Sequence, residues 1–278
     1  MNKLIQKLYL RSCHEELRVL KPGNHSLQSK IIGMNHKRFE YVAKISSEVF
    51  LKKNIGIGEK IYQSALKCFF QFGENYNLGI ILLCAPIFEI SPKKYFNFKA
   101  ELKVVLSKIN EYQGNFILKA IRKVNPAGLK KYDGPGDVNR KQKLNFKNIM
   151  KIGSQWDRIS KCYVTNYEEI IDKGLPFFEL MRKRASLKTS TILLYLFFLS
   201  INKDSHLLRK YGTRKSEMVV KKAKDLLKRI NVQAEVESQL LNFDKYLKSF
   251  HYNPGTCADL TVTTLLISKI RDIFKFQI

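Results

Sequence analysis

Apolar residues recur every three or four positions along nearly all 278 residues, and the rhythm stops wherever Gly, Pro or Asn intervenes. No stretch alternates apolar and polar residues between hairpin turns, and Asn-Gly and Gly-Gly pairs are absent. The periodicity predicts helices over 2–20, 36–53, 58–72, 78–90, 97–124, 144–151, 155–173, 176–202, 204–212, 214–230, 232–250 and 256–276. The expected fold is all-α, a single compact multi-helix domain of about a dozen helices covering 1–278. One long Gly/Pro-rich interruption, 125–142, has the length of a functional or mobile loop.

The chain carries 50 Lys and Arg against 24 Asp and Glu, a net charge of +26, which raises nucleic acid as a ligand. A binding footprint should be a patch. Instead residues 1–100 hold 16 basic and 7 acidic side chains, 101–200 hold 19 and 9, and 201–278 hold 15 and 8. Lys also outnumbers Arg by 38 to 12, although Arg is the better fork for phosphates and bases. Most of the charge therefore reads as solvated surface, with nucleic acid disfavoured.

Five scattered cysteines (Cys13, Cys68, Cys84, Cys162, Cys257) lack disulfide or zinc spacing. The first residues lack a signal-peptide pattern, and the most apolar run, Thr191 to Leu199, is far shorter than a membrane span. A reduced, cytoplasmic protein without a membrane partner is expected.

Polar residues gather at the breaks between helices, in five places. Lys21-Pro22-Gly23-Asn24-His25-Ser26, after Glu15-Glu16, reads as a helix stop or as a cation and free N–H groups facing an anion. Asn75 and Asn77 precede the apolar stretch Leu78 to Pro86 and suit either a helix cap or contacts to a sugar or base. The third place joins Asp133-Gly134-Pro135-Gly136-Asp137 to Trp156-Asp157-Arg158, Tyr163 and Asn166, where surface decoration is the plain alternative. In Asp204-Ser205-His206-Leu207-Leu208-Arg209-Lys210-Tyr211-Gly212, a capped helix accounts for the ends. The functional reading puts Arg209 and Lys210 on phosphate and Asp204 on a metal. Finally, Asn253-Pro254-Gly255-Thr256-Cys257-Ala258-Asp259 resembles a capping box and also presents N–H groups to an anion. None of the histidines has metal-type spacing, and no Walker or dinucleotide fingerprint is present.

In order along the chain these places resemble the triphosphoribosyl-dephospho-CoA synthase family, the ATP:dephospho-CoA triphosphoribosyltransferases. Glu16 through Asn24, Asn75 through Pro86, Asp137-Val138, Trp156 through Ile159 with Tyr163, Gly174-Leu175-Pro176, Asp204 through Gly212 and Asn253 through Leu260 carry the likeness. Asn77-Leu78-Gly79, Asp204-Ser205-His206 and Asn253-Pro254-Gly255-Thr256 depart from the common pattern and are similar to an archaeal and methylotroph-type branch. The resemblance implies an all-helical transferase that moves the triphosphoribosyl group of ATP to 3′-dephospho-CoA or a related acceptor and releases adenine.

Such chemistry builds positive charge at the ribose carbon and needs carboxylates, a base and cations for the triphosphate. On that reading Asp259 and Glu16 are the catalytic carboxylates, with Asp259 as base or ribose ligand. Lys21, Arg209 and Lys210 take phosphates, and Asp204, with Glu16 as second choice, takes Mg²⁺. Asn24, Asn75, Asn77, Asn253 and Thr256 bind substrate. Oligomeric state, including a homodimer, stays open. The competing expectation is a non-catalytic basic helical protein that binds nucleic acid or another polyanion.

Overall fold

A computed structural model describes residues 2–91, 96–127, 129, 134–139 and 144–276. Thirteen α-helices are present among the described residues, and no β-strand. They are α1 (Asn2–Arg18), α2 (His36–Phe50), α3 (Ile57–Phe72), α4 (Leu78–Phe88), α5 (Phe98–Ser107), α6 (Glu111–Val124) and α7 (Phe146–Gly153). The second half holds α8 (Arg158–Thr165), a π-helical turn (Glu169–Gly174), α9 (Leu175–Arg182), α10 (Leu187–Ile201), α11 (Ser205–Arg229), α12 (Val236–Ser249) and α13 (Gly255–Phe274). No helix among the described residues is long and apolar enough to cross a membrane.

Three of the periodic segments divide where continuous helices are expected. The 97–124 stretch splits because Asn110 accepts the Gln113 N–H and starts α6 afresh. The 155–173 stretch breaks at Asn166 and Tyr167, both with positive φ. The 176–202 stretch restarts at Ser186, which caps α10 through the Thr189 N–H. In the other direction, α11 runs through Gly212 as a sharp kink (φ 79°, ψ 178°), which separates a short arm from a long one as the glycine predicts. Polar residues at the breaks are mostly caps. Asn35, Asn97 and Asn145 each accept an N–H of the helix they start.

Helices α4 and α10 are apolar on nearly every face, and α13, with several buried threonines, is buried on nearly every face, as helices enclosed on all sides should be. Helix α13 packs against α1, α4, α9, α10, α11 and the π turn, so it forms the central post of the core. Its first turn and that of α4 end side by side, and the polar loops gather around them.

Candidate active site

Ten of the eleven expected site residues line one cleft of about 1720 Å³; Asp204 does not. The loop after α1 forms one wall, and Lys21 through Ser26 are all buried. Gly23 has φ +78°, and a Cβ there would come within 2.4 Å of the Tyr252 carbonyl oxygen, so only glycine fits. Its N–H donates to Asp244 Oδ1 (2.8 Å), Tyr195 Oη donates to the Pro22 carbonyl (2.9 Å), and Asn24 Nδ2 donates to Asn253 Oδ1 (2.7 Å). These bonds tie the first loop to α12, to α10 and to the loop before α13. Lys21 forms an ion pair with Glu16, and both are buried. Burial lowers the Lys21 pKa and raises that of Glu16, while each charge opposes the shift of the other.

Asp259 stands on the first turns of α13 against the start of α4. A Cβ at Gly79 would lie 2.0 Å from Asp259 Oδ2, so this glycine makes room for the carboxylate. Burial, then the charges of Asp204 and Glu16, push the Asp259 carboxyl well above the usual carboxylate range; Arg209 pulls it back. Arg209 is fixed over the cleft by Asp157 Oδ2 (2.6 Å), and Asp157 Oδ1 caps α8 through the Ser160 N–H (2.8 Å). Lys210 is exposed at the cleft edge, with its ammonium over the Tyr211 ring. Asn75 Oδ1 accepts the Leu78 N–H (3.1 Å) and caps α4, whereas Asn77 stands at the cap position without capping. Asn77 Nδ2 is buried with no hydrogen-bond partner. Thr256 is buried in the first turn of α13.

Asp204 has other duties. Its Oδ1 accepts the His206 and Leu207 N–H groups (2.9 and 3.1 Å) and caps α11, and its Oδ2 accepts the Cys257 N–H (2.8 Å). Both oxygens are engaged and the residue is 1% exposed, so its geometry does not fit an Mg²⁺ ligand. No group of three His, Cys, Asp or Glu side chains arranged to hold a metal occurs among the described residues. Arg158, one residue past Asp157, is buried in a two-pronged bond to Glu169 (3.1 and 2.8 Å). Tyr163 Oη donates to the Leu82 carbonyl (2.7 Å) and serves packing, while Asp133 lies outside the described residues.

The family model for ATP:dephospho-CoA triphosphoribosyl transferase (CitG) matches residues 2–277. The chain belongs to this family. A curated relative from Streptococcus mutans, described as a 2-(5''-triphosphoribosyl)-3'-dephosphocoenzyme-A synthase, is 28% identical over 109 residues. That alignment spans 38% of this chain and about a third (36%) of the relative's length. A crystal structure from Archaeoglobus fulgidus, of a protein assigned as a triphosphoribosyl-dephospho-CoA synthase, superposes with a TM-score of 0.63 at 21% identity. It covers 82% of this chain and 98% of the other, and at that identity it supports the helical fold alone.

Three further residues of the cleft wall carry no role in the sequence reading. His25 and His206 line the cleft although their spacing resembles no metal motif. Burial, partly offset by Asp204, lowers the His206 pKa, and Arg209 and Lys210 lower it further. Lys248, from α12, enters the cleft wall held by Asp244 Oδ2 (3.1 Å) and by Ser29. His25 sits inside a motif already singled out, so its place was readable. Lys248 lies on an ordinary amphipathic helix and gives no local signal.

Proposed function

We propose that the chain transfers the triphosphoribosyl group of ATP to a hydroxyl of 3′-dephospho-CoA or a related acceptor, with release of adenine. The supporting observation is the meeting of distant polar loops in one cleft around Asp259, a carboxylate whose pKa is raised toward the range useful for proton transfer. The bond from ribose C1 to adenine breaks with its electron pair going to the base, and a bond from C1 to the acceptor oxygen forms. Asp259 takes the proton of the attacking hydroxyl and passes it toward the departing base, so the proton count closes. The positive charge that grows at C1 is met by Asp259 and by Glu16, whose own charge is steadied by Lys21. Arg209, fixed by Asp157, and Lys210 receive phosphate oxygens through charge-assisted bonds. Buried Asn24 and Thr256, with Asn253, close the wall on the sugar side; Asn75 and Asn77 border the base.

Mg²⁺ enters as the companion of the ATP phosphates, where one or two protein carboxylates suffice. Asp204 does not fit that place, and no step above passes through the ion. Chromatography of ATP, dephospho-CoA, Mg²⁺ and protein should show adenine and a heavier coenzyme product. Intact ATP with every coenzyme A-like acceptor would overturn the transferase reading. Steep, salt-sensitive binding to any polyanion, unchanged in Asp259→Asn, would instead favour the nucleic-acid alternative.

A further inference from the structure

Apart from Lys203, which pairs with Glu217, the cations of the cleft form two groups on different elements. Arg209 and Lys210 stand on α11 beside His206, while Lys21, Lys30 and Lys248 surround His25 at the loop after α1. The first group already has a task in the proposed reaction. The second has a feature of its own. The Ile31 N–H donates to His25 Nδ1 (3.1 Å), which fixes the ring proton on Nε2. Burial, then Lys21 and Lys248, lowers the His25 pKa to about 4, so the neutral ring keeps one acceptor and one donor. The donor, Nε2–H, is buried and has no hydrogen-bond partner.

A buried donor left unpaired is costly and rare, and a ligand atom is a common reason for keeping one. The ring is also built in place. His25 is 1% exposed and stacks on Phe39 (centroids 5.4 Å apart, 13° between planes). Asp244 fixes the Gly23 N–H and, with Ser29, positions the Lys248 ammonium on the same wall. Here a rigid neutral donor and a held cation border one cleft.

We propose that His25 Nε2–H and Lys248 Nζ form a second phosphate-binding subsite, separate from Arg209 and Lys210, for the substrate whose phosphates the latter do not hold. It rests on the transferase reading only for the name of that substrate. The shared chemistry is a phosphate oxygen, supplied either by the nucleotide or by the coenzyme-like acceptor.

The test compares His25→Asn, whose side-chain oxygen can replace Nδ1 for the Ile31 N–H but supplies no Nε2–H, with His25→Gln, whose amide can replace that donor. Titration calorimetry with ATP, with dephospho-CoA and with inorganic pyrophosphate reads binding without turnover. His25→Asn and Lys248→Met should each weaken one of the two substrates about ten-fold or more. His25→Gln should stay within about three-fold of the parent, and Arg209→Met should weaken the other substrate. Pyrophosphate should fill two sites on the parent and one on His25→Asn. Parent-like binding of all three ligands by His25→Asn overturns the proposal, as does loss of the same single ligand in His25→Asn and Arg209→Met. A protein that binds pyrophosphate at two sites but neither substrate would sink the transferase reading and leave the subsite standing.

Discussion

Two buried polar clusters lie next to each other, and they are finished to different degrees. Around Asp204, Arg158 and Glu169, the strong donors and acceptors are matched. Arg158 grips Glu169 with two nitrogens and points a third at Cys257 Sγ (3.1 Å), Asn202 Nδ2 adds a bond to Glu169 (2.7 Å), and Asp204 serves three backbone N–H groups. Around Asp259, the matching stops. The carboxylate is held above its ordinary pKa by burial and like charges, and the His25 and Asn77 donors have no partner. Similar residue types and similar burial thus separate into a scaffold that is satisfied in the folded chain and a proposed site whose donors are left unmatched.

The difference can be pressed hardest at Asp259. Asp259→Asn should lower the rate of adenine release about 100- to 10,000-fold, the usual worth of a general base, with circular dichroism unchanged. It should also stabilise the protein. A carboxyl whose pKa is higher folded than unfolded costs nothing below its unfolded value; the cost grows as the pH climbs from there to the folded value and is complete above it. The melting temperature of Asp259→Asn should therefore exceed the parent's at pH 8, with the gain shrinking as pH falls. A lower melting temperature at pH 8 would place Asp259 among the scaffold residues. In the matched cluster the effects reverse. Arg158→Met strands Glu169 and should cost about 3–5 kcal/mol in urea unfolding, and what remains folded should still bind ATP. A smaller, sharper probe is the pH profile of Arg209→Met. Arg209 holds the Asp259 pKa down, so its removal should move the acid limb of turnover to higher pH. A limb that moves lower would mean that Arg209 and Asp259 do not act on each other as the cleft arranges them.

The helical architecture was legible because buried helices need apolar residues at a helical period, and the breaks carry Gly, Pro or Asn. Where Lys108-Ile109-Asn110 interrupts a continuing apolar pattern, the period hides the break, and only the side-chain bond of Asn110 reveals it. The candidate site was legible only as an ordered set of segments resembling one family, since each segment alone reads as an ordinary cap or turn. The role of Asp204 was not, because a helix cap and a metal ligand look alike in sequence; the deciding partner, the Cys257 N–H, is 53 residues away. The same holds for Gly79, which is readable as a helix-start glycine, while the carboxylate it admits belongs to Asp259 on another helix.

Helix α13 joins these themes. Its body is enclosed by five other helices and the π turn, and its head carries the carboxylate proposed to act on substrate. On the proposed mechanism the tolerances of the reaction are thus inherited from the interior rather than from the loops around it. A trimmed core side chain such as Leu265, nearly two turns below Asp259, would loosen the mounting of that group. Such damage would register as lost catalytic precision in a protein that still melts as one.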